Sequence, residues 1–161
     1  LKNIQKAALR AADHGRLRPW RFLMIEGDGR KKLGELFIVA EKQKIDNLSE
    51  KKCELAANKA MRAPTIVIVI ACIKDHPKIP RIEQIISAGA AAQNMLTAAY
   101  AQGIGAVWRT GDLAYDSKFS AELGLTRNEA IVGFLYLGSA SASCEAKAPK
   151  MNTEDYFQSW P

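Results

Sequence analysis

The stretch that decides the fold is TIVIVIAC, residues Thr65–Cys72. After Thr65 the run contains no polar side chain apart from its final cysteine, and it leads into the proline-containing loop KDHPKIPR, residues 74–81. A run of β-branched residues without polar alternation is typical of a strand covered on both faces, although a short buried helix has the same pattern. The run therefore predicts a central strand with other elements packed against each of its sides.

The segments around this strand mix helical and strand patterns without a regular strand–helix–strand repeat. Apolar spacing predicts helices at residues 1–13, 31–43, 47–61 and 82–102. Further strands are predicted at residues 22–25, 104–108 and 130–138. Asn47 and Glu50 form a capping box for the third helix, and Asp116 is placed to cap a short helix that ends at Leu123. Together these elements favour an α+β fold, in which helices pack on the faces of one sheet.

Two apolar segments are expected to need partners. The helix at residues 82–102 is rich in small residues and apolar nearly all round, so we expect it to be buried on most sides. The C-terminal tail MNTEDYFQSWP, residues 151–161, carries three aromatic residues outside any periodic pattern. We expect the tail to dock on the chain's own core or on a second chain.

Composition and charge narrow the class of protein. The 161 residues, 48% hydrophobic and 25% charged, are typical of one globular domain over residues 1–161. The longest apolar run, residues 66–73, is too short to cross a bilayer, so no membrane association is expected. A net charge of +6 suits an anionic partner. Lysine-rich stretches such as KKCELAANK are more typical of a solvated face than of a nucleic-acid site.

Cysteine and histidine content argues against several kinds of site. Cys53, Cys72 and Cys144 are widely spaced, which disfavours a disulfide framework and a zinc site. This usage favours a reducing, cytoplasmic location, with Cys72 as a small buried apolar residue. His14 and His76 are the only histidines, and neither lies beside a nucleophile motif, so no metal site and no catalytic triad is predicted.

The stretch DHGRLRPWRF, residues 13–22, is the first candidate site. Together with Arg10 it brings arginines and His14 close in sequence, at the end of a helix and in the loop that follows. Converging guanidinium groups suit a phosphate, and Trp20 offers a flat apolar wall. The alternative is a set of solvated arginines with Trp20 in the core, and spacing alone does not separate the two.

The stretch GIGAVWRTGD, residues 103–112, is the second candidate. Its glycines lie between a helix and a strand, whereas a dinucleotide fingerprint places them between a strand and a helix, so a helix stop and a tight turn are favoured. At the strand's end, Arg109 offers a forked donor, and backbone N–H groups near Thr110 and Gly111 could stabilise developing negative charge. Taken alone, this segment is better explained as a strand end with a surface arginine.

Three stretches, taken together and in order, resemble the nitroreductase family of flavoproteins, in particular a small bacterial branch of NAD(P)H nitroreductases. They are LRAADHGRLRPWRFLMIEG, SAGAAAQNMLTAAYAQGIGAVWRTG and IVGFLYLG, at residues 9–27, 87–111 and 131–138. The resemblance implies a mixed, mainly antiparallel sheet sandwiched by helices, in an intertwined homodimer. It also implies two FMN molecules at the dimer interface, each touched by both chains, with NAD(P)H as the co-substrate.

The resemblance also assigns residues. It implies that FMN is contacted by Arg10, His14, Trp108, Arg109 and Thr110. It matches a nicotinamide nucleotide segment to Ala98, Ala99, Tyr100, Ala101, Gln102 and Gly103. The chain departs from the branch in having Ala12 in place of a proline and Arg18 in place of a glutamine. The family's phosphate-binding Arg-Arg-Ser motif is missing, so we expect an N-terminal helix to be absent from this chain.

The implied function is reduction of nitroaromatics or quinones by ping-pong hydride transfer, with no catalytic side chain because the redox chemistry belongs to the cofactor. One alternative is a specialised or low-turnover FMN-binding protein of the same fold, either dehalogenase-like or a carrier. Another is a basic nucleic-acid-binding module, which is disfavoured because no basic helix with interleaved aromatic residues is present.

Overall fold

The computed structural model describes residues 1–140 and 149–160, so that Cys144 lies outside the described residues. Its sheet contains four strands in the order β1-β2-β4-β3. They are β1 (Trp20–Glu26), β2 (Thr65–Cys72), β3 (Gly105–Arg109) and β4 (Glu129–Gly138). All three strand pairings are antiparallel, so among the described strands the sheet is antiparallel and not mixed. The strands predicted from the sequence are therefore confirmed, with β1 and β4 slightly longer than expected.

The central strand β2 is covered on both faces, as its composition predicts. Residues 66–71 have 0% of their surface exposed. Because successive side chains of a strand point to opposite faces, β2 supplies apolar side chains to two separate cores. Ile66, Ile68 and Ile70 belong to one core, and Val67 and Val69 belong to the other.

Helices form one layer on each face of the sheet. The described α-helices are α1 (Lys2–Ala8), α2 (Gly29–Lys42), α3 (Glu50–Asn58), α4 (Arg81–Tyr100) and α5 (Ser117–Glu122). The side covered by α2, α3 and α5, through Leu33, Phe37 and Phe119, is called the α2 face. The opposite side, covered by α1 and α4 through Ile4 and Met95, is called the α4 face. This arrangement of a sheet between two helix layers confirms the α+β fold.

Two predicted helix boundaries were wrong, for local reasons. Helix α1 ends at Ala8 and does not reach Asp13. The Asp13 carboxylate instead accepts hydrogen bonds from the backbone of Leu17 and Arg18, at 3.1 and 2.8 Å, and so stabilises a turn. Helix α3 begins after Ser49, because Asn47 has a left-handed backbone (φ 57°) and belongs to the preceding turn.

The loop after α1 holds its charged residues in an unusual backbone. Arg16 and Arg18 have φ angles of 55° and 49°, in the left-handed region that side chains with a Cβ rarely adopt. The turn closes over the loop before α4, since a methyl group added to Gly15 would lie 2.4 Å from the Ile79 side chain. Lys74 also donates to the Leu17 carbonyl oxygen. The arginines are therefore presented by a firmly packed turn.

The predicted cap of the short helix was correct. The Asp116 carboxylate accepts hydrogen bonds from the backbone N–H groups of Lys118 and Phe119, at 2.9 and 3.0 Å. These contacts satisfy two of the donors that the first turn of a helix leaves free. Helix α5 begins directly after this residue, and its Phe119 enters the core of the α2 face.

Helix α4 differs from expectation, because within one chain it is buried on one side only. Its small residues, such as Ala88 and Ala92, face the sheet, whereas Ile86 and Tyr100 lie on the outer side and Tyr100 is 87% exposed. The described part of the tail is also exposed, with Trp160 at 94%. The described residues of the tail therefore do not dock on the core of their own chain, and a second chain remains the expected partner.

Gly133 lets β3 and β4 approach closely at the α4 face. A methyl group at this buried glycine would lie 2.0 Å from the indole Nε1 of Trp108 and 3.0 Å from the carbonyl oxygen of Arg109. The register of β4 on β2 also shifts here, between the partners of Val69 and Ile70. The absence of a side chain at Gly133 therefore fixes how β3, and with it Arg109, sits on the sheet.

We expect the substitution Gly133→Ala to destabilise the fold by about 1–3 kcal/mol, because the new methyl group overlaps the indole of Trp108. Urea unfolding followed by circular dichroism measures the change. The matched control is Gly89→Ala on α4, whose methyl group would meet the same indole at 3.8 Å, an ordinary contact. That helical substitution should be neutral or stabilising by up to about 1 kcal/mol. Equal stability of the two variants would contradict this account.

A polar cluster lies at the end of the sheet where β2 ends, at Cys72. Arg21 donates two hydrogen bonds to the Glu129 carboxylate, and the longer one, from Nη2 to Oε2, measures 3.0 Å. The Cys72 thiol lies 3.3 Å from Glu129 Oε1. The Arg21 hydrogen bond lowers the pKa of Glu129 to about 2, against an ordinary value of 4.5. Burial raises the pKa of the Cys72 thiol to about 11, so this cysteine is an unreactive packing residue near neutral pH.

The depressed pKa of Glu129 predicts loss of stability in acid. Because the folded-state value lies below the ordinary one, the stabilisation is complete above about pH 4.5 and is lost as the pH falls towards 2. Glu129→Gln should lower the free energy of unfolding by about 1–3 kcal/mol near pH 7. The difference from the unmodified protein should shrink between pH 4.5 and 2, as measured by urea unfolding at a series of pH values. Glu54→Gln, at an exposed position of α3, is the control, and a pH-independent difference for Glu129→Gln would contradict the prediction.

Candidate functional site

A cavity of about 380 Å³ lies on the α2 face, over the ends of β3 and β4. Its far wall is formed by α2, and its rim by the chain that leaves β3. We call it the β3–β4 cavity. A volume of this size falls in the range of pockets that take small molecules or cofactors, which begins at about 300 Å³.

Aromatic side chains form the base of the β3–β4 cavity. Phe134 and Tyr136 lie two residues apart on β4 and therefore point to the same face of the sheet. Phe37, from α2, meets Phe134 edge to face with ring centroids 6.3 Å apart. Because Phe37 and Phe134 are buried and Tyr136 is partly buried, the base is rigid and suits a flat ring.

The walls carry four cationic and two acidic side chains, and these are unevenly paired. Lys59 Nζ lies 2.9 Å from Glu41 Oε1, and Lys44 Nζ lies 3.4 Å from Asp112 Oδ2. Both lysines on the α2 side are therefore matched by a carboxylate. The other two cations belong to Arg62 and Arg109 and form no ion pair within residues 1–140 and 149–160.

Tyr136 reports the positive field that these arginines create at the base of the cavity. Burial raises the pKa of its hydroxyl, and the charges of Arg62 and Arg109 act in the opposite direction by favouring the ionised form. Both guanidinium groups are thus close enough to the Tyr136 hydroxyl to influence its titration. The sheet side of the cavity is therefore suited to a negatively charged or strongly polar group.

The main chain turns sharply where it forms the rim. Gly111 has φ 89° and ψ −177°, a conformation that strongly favours glycine, and a methyl group there would meet nothing within 4 Å. This turn ends β3 and starts a 3₁₀ turn, Asp112–Tyr115, whose Ala114 N–H bonds the Gly111 carbonyl oxygen at 3.0 Å. As a result, the backbone at Thr110 and Gly111 borders the cavity.

The structure directs the side chains of the WRTGD segment to different faces of the sheet. Arg109 and Thr110 both line the β3–β4 cavity. Trp108 belongs to the core of the α4 face, as expected for the neighbour of Arg109 along a strand. Its side chain cannot touch a ligand that lies on the α2 face of the same chain, so any contact with such a ligand would come from its backbone.

Arg10 and His14 do not lie near the β3–β4 cavity of their own chain. They follow α1, which packs on the α4 face, whereas the cavity opens on the α2 face. The loop also leads into β1, at the edge opposite β3, so about three strand spacings, or roughly 14 Å, separate the two regions across the sheet. His14 Nδ1 contacts Glu83 Oε2 at 2.6 Å, which holds the imidazole beside the start of α4.

The segment matched to a nicotinamide nucleotide, residues 98–103, forms the end of α4 and the turn that follows. Its first residues, Ala98 and Ala99, are partly or fully buried, whereas Tyr100 and the three residues after it are exposed. Gln102 Nε2 donates to the Ala98 carbonyl oxygen at 2.6 Å. None of these residues lines the β3–β4 cavity. Their assignment therefore stays a prediction.

Sequence reasoning missed the part of the cavity contributed by α2 and by the turn before β2. Lys59 is the last residue of KKCELAANK, which was interpreted as a solvated lysine-rich face, and Arg62 lies just beyond it without a motif. Glu41 and Lys44 lie at the end of a helix, also without a motif. One signal was present: Arg62 comes directly before the chain enters its most buried strand, so its position relative to the sheet is fixed.

Within the same described ranges, no three His, Cys, Asp or Glu side chains cluster in a way that could hold a metal ion. In the part of the chain that the structure covers, no helix is long and apolar enough to cross a membrane.

The antiparallel sheet between two helix layers defines a class of α+β proteins that many known structures share. A nitroreductase-like family protein from Bacillus cereus superimposes with a TM-score of 0.79 and 27% sequence identity, covering 98% of this chain and 81% of that one. The FMN-dependent nitroreductase NfnB from Mycobacterium smegmatis, solved with NADPH, gives a TM-score of 0.75 over 99% and 87% of the two chains, at 14% identity.

The chain belongs to the nitroreductase family, whose model matches residues 1–139. YdjA of Escherichia coli K12, named provisionally as an NAD(P)H nitroreductase, is 41% identical over 140 residues, which are 86% of this chain and 75% of YdjA. A Haemophilus influenzae protein with the same provisional name is 32% identical over 157 residues, or 97% of this chain and 84% of the relative. The family inferred from the three sequence stretches is therefore confirmed, and it is a family of oxidoreductases.

Proposed function

We propose that the protein is an FMN-dependent oxidoreductase that takes hydride from NAD(P)H and reduces nitroaromatics or quinones. The observation that carries this proposal is the β3–β4 cavity, where a rigid aromatic base lies beside two arginines without carboxylate partners among the described residues. Structural neighbours from Bacteroides fragilis and Mycobacterium smegmatis, solved with FMN and with NADPH, support the choice of cofactors.

The residues around the cavity fit a flavin ring. Phe134 and Tyr136 offer a flat base, while Arg109 and the main chain at Thr110 offer hydrogen-bond donors at the rim. FMN, when bound, would supply the redox chemistry, in which a hydride from NAD(P)H, which leaves as NAD(P)⁺, is transferred to the acceptor and the accompanying proton comes from solvent. The protein's own contribution is to orient the ring, to exclude water from its buried side and to place positive charge beside it.

Specific roles follow from position. The backbone N–H groups at Thr110 and Gly111 would donate to the edge of the ring that receives the hydride, because the turn at Gly111 brings the main chain to the rim. Arg109 would hold an electron-rich edge of the ring through its forked donors. No side chain of the cavity is proposed as a proton donor, in keeping with chemistry centred on the cofactor.

A second copy of the chain would complete the site. Arg10 and His14 lie on the other face and at the other edge of the sheet from Arg109, so one chain cannot bring all three to one FMN. The outer side of α4 carries Ile86 and Tyr100 into solvent, as expected for a surface that a partner covers. We therefore propose a homodimer, in which the loop of one chain binds the FMN whose ring lies in the cavity of the other.

The space available supports a ping-pong order. A cavity of about 380 Å³ that already holds a flavin ring has little room left for a donor and an acceptor side by side. NAD(P)H and the acceptor would therefore use the same exposed face in turn.

The test is reconstitution of the purified protein with FMN followed by anaerobic reduction. We expect a yellow protein whose visible absorbance bleaches on addition of NADPH or NADH and returns on addition of a quinone or a nitroaromatic. Steady-state rates at several fixed acceptor concentrations should give parallel double-reciprocal lines. Free FMN at the same concentration is the control for direct reduction.

Two results would contradict the proposal in different ways. A protein that remains colourless after incubation with FMN would exclude FMN as its cofactor. A protein that binds FMN but is not bleached by either nucleotide would favour a carrier of the same fold.

Mixed dimers test whether two chains share one site. Arg109→Ala and His14→Ala should each lower FMN retention, because each removes a contact from both sites of a homodimer. A dimer of one Arg109→Ala chain and one His14→Ala chain should regain about half of the FMN, since one of its two sites then contains both intact residues. Differently tagged chains, co-expressed and purified through both tags, allow FMN to be counted per dimer. No recovery in the mixed dimer would place both residues at the site within a single chain, or neither at the site.

A further inference from the structure

We infer that Arg62 sets the reduction potential of the bound flavin, in addition to the contacts named above. This inference rests on the proposed function, because it assigns a role toward the flavin ring in the β3–β4 cavity. Arg62 is the residue that follows the 3₁₀ turn Lys59–Met61, just before β2 begins. Neither the sequence motifs nor the family resemblance singled it out.

The position of Arg62 is well determined although its side chain is exposed. The neighbouring residues Ala60 and Ala63 are buried, and Arg30 Nη1 donates to the Ala63 carbonyl oxygen at 3.2 Å. Pro64 then packs against β4, since a methyl group at Gly138 would lie 2.7 Å from its Cδ. The backbone that carries Arg62 is therefore held against the sheet, and its side chain lines the cavity.

The charge of Arg62 remains available to a ligand. Lys59 and Lys44, the other cations near α2, are each matched by a carboxylate at 2.9 and 3.4 Å. Arg62 forms no ion pair with any residue that the structure describes, and its charge acts on the Tyr136 hydroxyl at the base of the cavity. Its field is therefore directed at the space that the ring would occupy, and no carboxylate of residues 1–140 and 149–160 is paired with it.

Hydride transfer brings one negative charge into this field. Oxidised FMN has a neutral ring, so Arg62 should stabilise the reduced form more than the oxidised form. Such a difference in binding between two redox states is a shift in potential. Glu41 and Asp112 lie in the same cavity, but each is already engaged by a lysine, so they oppose this effect only weakly.

The experiment compares Arg62→Gln with Arg127→Gln. Arg127 is an exposed arginine in the turn before β4, outside the cavity, so its variant removes the same charge elsewhere. In Arg62→Gln the dissociation constant of reduced FMN should rise about tenfold more than that of oxidised FMN, equivalent to a potential lower by about 30 mV for a two-electron couple. Arg62→Lys should retain most of the original potential, and Arg127→Gln all of it. Potentials are measured by dye-linked anaerobic titration, and dissociation constants by fluorescence.

The outcomes separate this inference from the proposed function. If the protein and Arg62→Gln both bind FMN at the same potential, the role of Arg62 is refuted and the proposed function stands. Equal weakening of both redox states would show that Arg62 merely holds the ligand, which also refutes the role. If the unmodified protein binds no FMN, the proposed function fails and this inference fails with it.

Discussion

Burial of β2 on both faces is the constraint on which the rest of the structure depends. Residues 66–71 have 0% of their surface exposed, so the other strands of the sheet, paired with β2 directly or through β4, also divide their side chains between two apolar layers. On β3 this division sends Trp108 to the α4 face and Arg109 to the α2 face. Adjacent residues of one motif thus serve different purposes: the tryptophan fixes the strand through its fit over Gly133, and the arginine is free to meet a ligand.

The same division places the two candidate sites of the chain on opposite faces of the sheet. The cationic loop after α1 belongs to the layer on the α4 face, and the aromatic cavity belongs to the layer on the α2 face. The four-stranded sheet itself lies between them. The exposed apolar side of α4 offers a way to bring a second loop to the cavity, so the fold and the proposed sharing of a ligand follow from one geometric cause.

Much of the fold could be predicted from local signals, and the site only in part. TIVIVIAC and the Asp116 cap act through nearby residues, and both predictions were confirmed. The prediction for Asn47 was wrong because its capping box competes with a left-handed turn that sequence spacing does not reveal. Helix α4 was expected to be buried on most sides because its composition is apolar nearly all round, whereas the described chain covers only the side that faces the sheet. Lys59 and Arg62 were missed because a cation at a cavity and a cation in solvent look alike until the sheet places them.

The left-handed backbone at Arg16 and Arg18 limits which residues can replace these two arginines during evolution. Residues branched at Cβ are poorly tolerated at such angles, whereas glycine and asparagine are accepted readily. Drift at these positions should therefore pass through a small set of replacements that alter the loop's charge while preserving its course. The charge of this loop can then change while its shape is kept, so affinity for anions can be adjusted without rebuilding the chain around it.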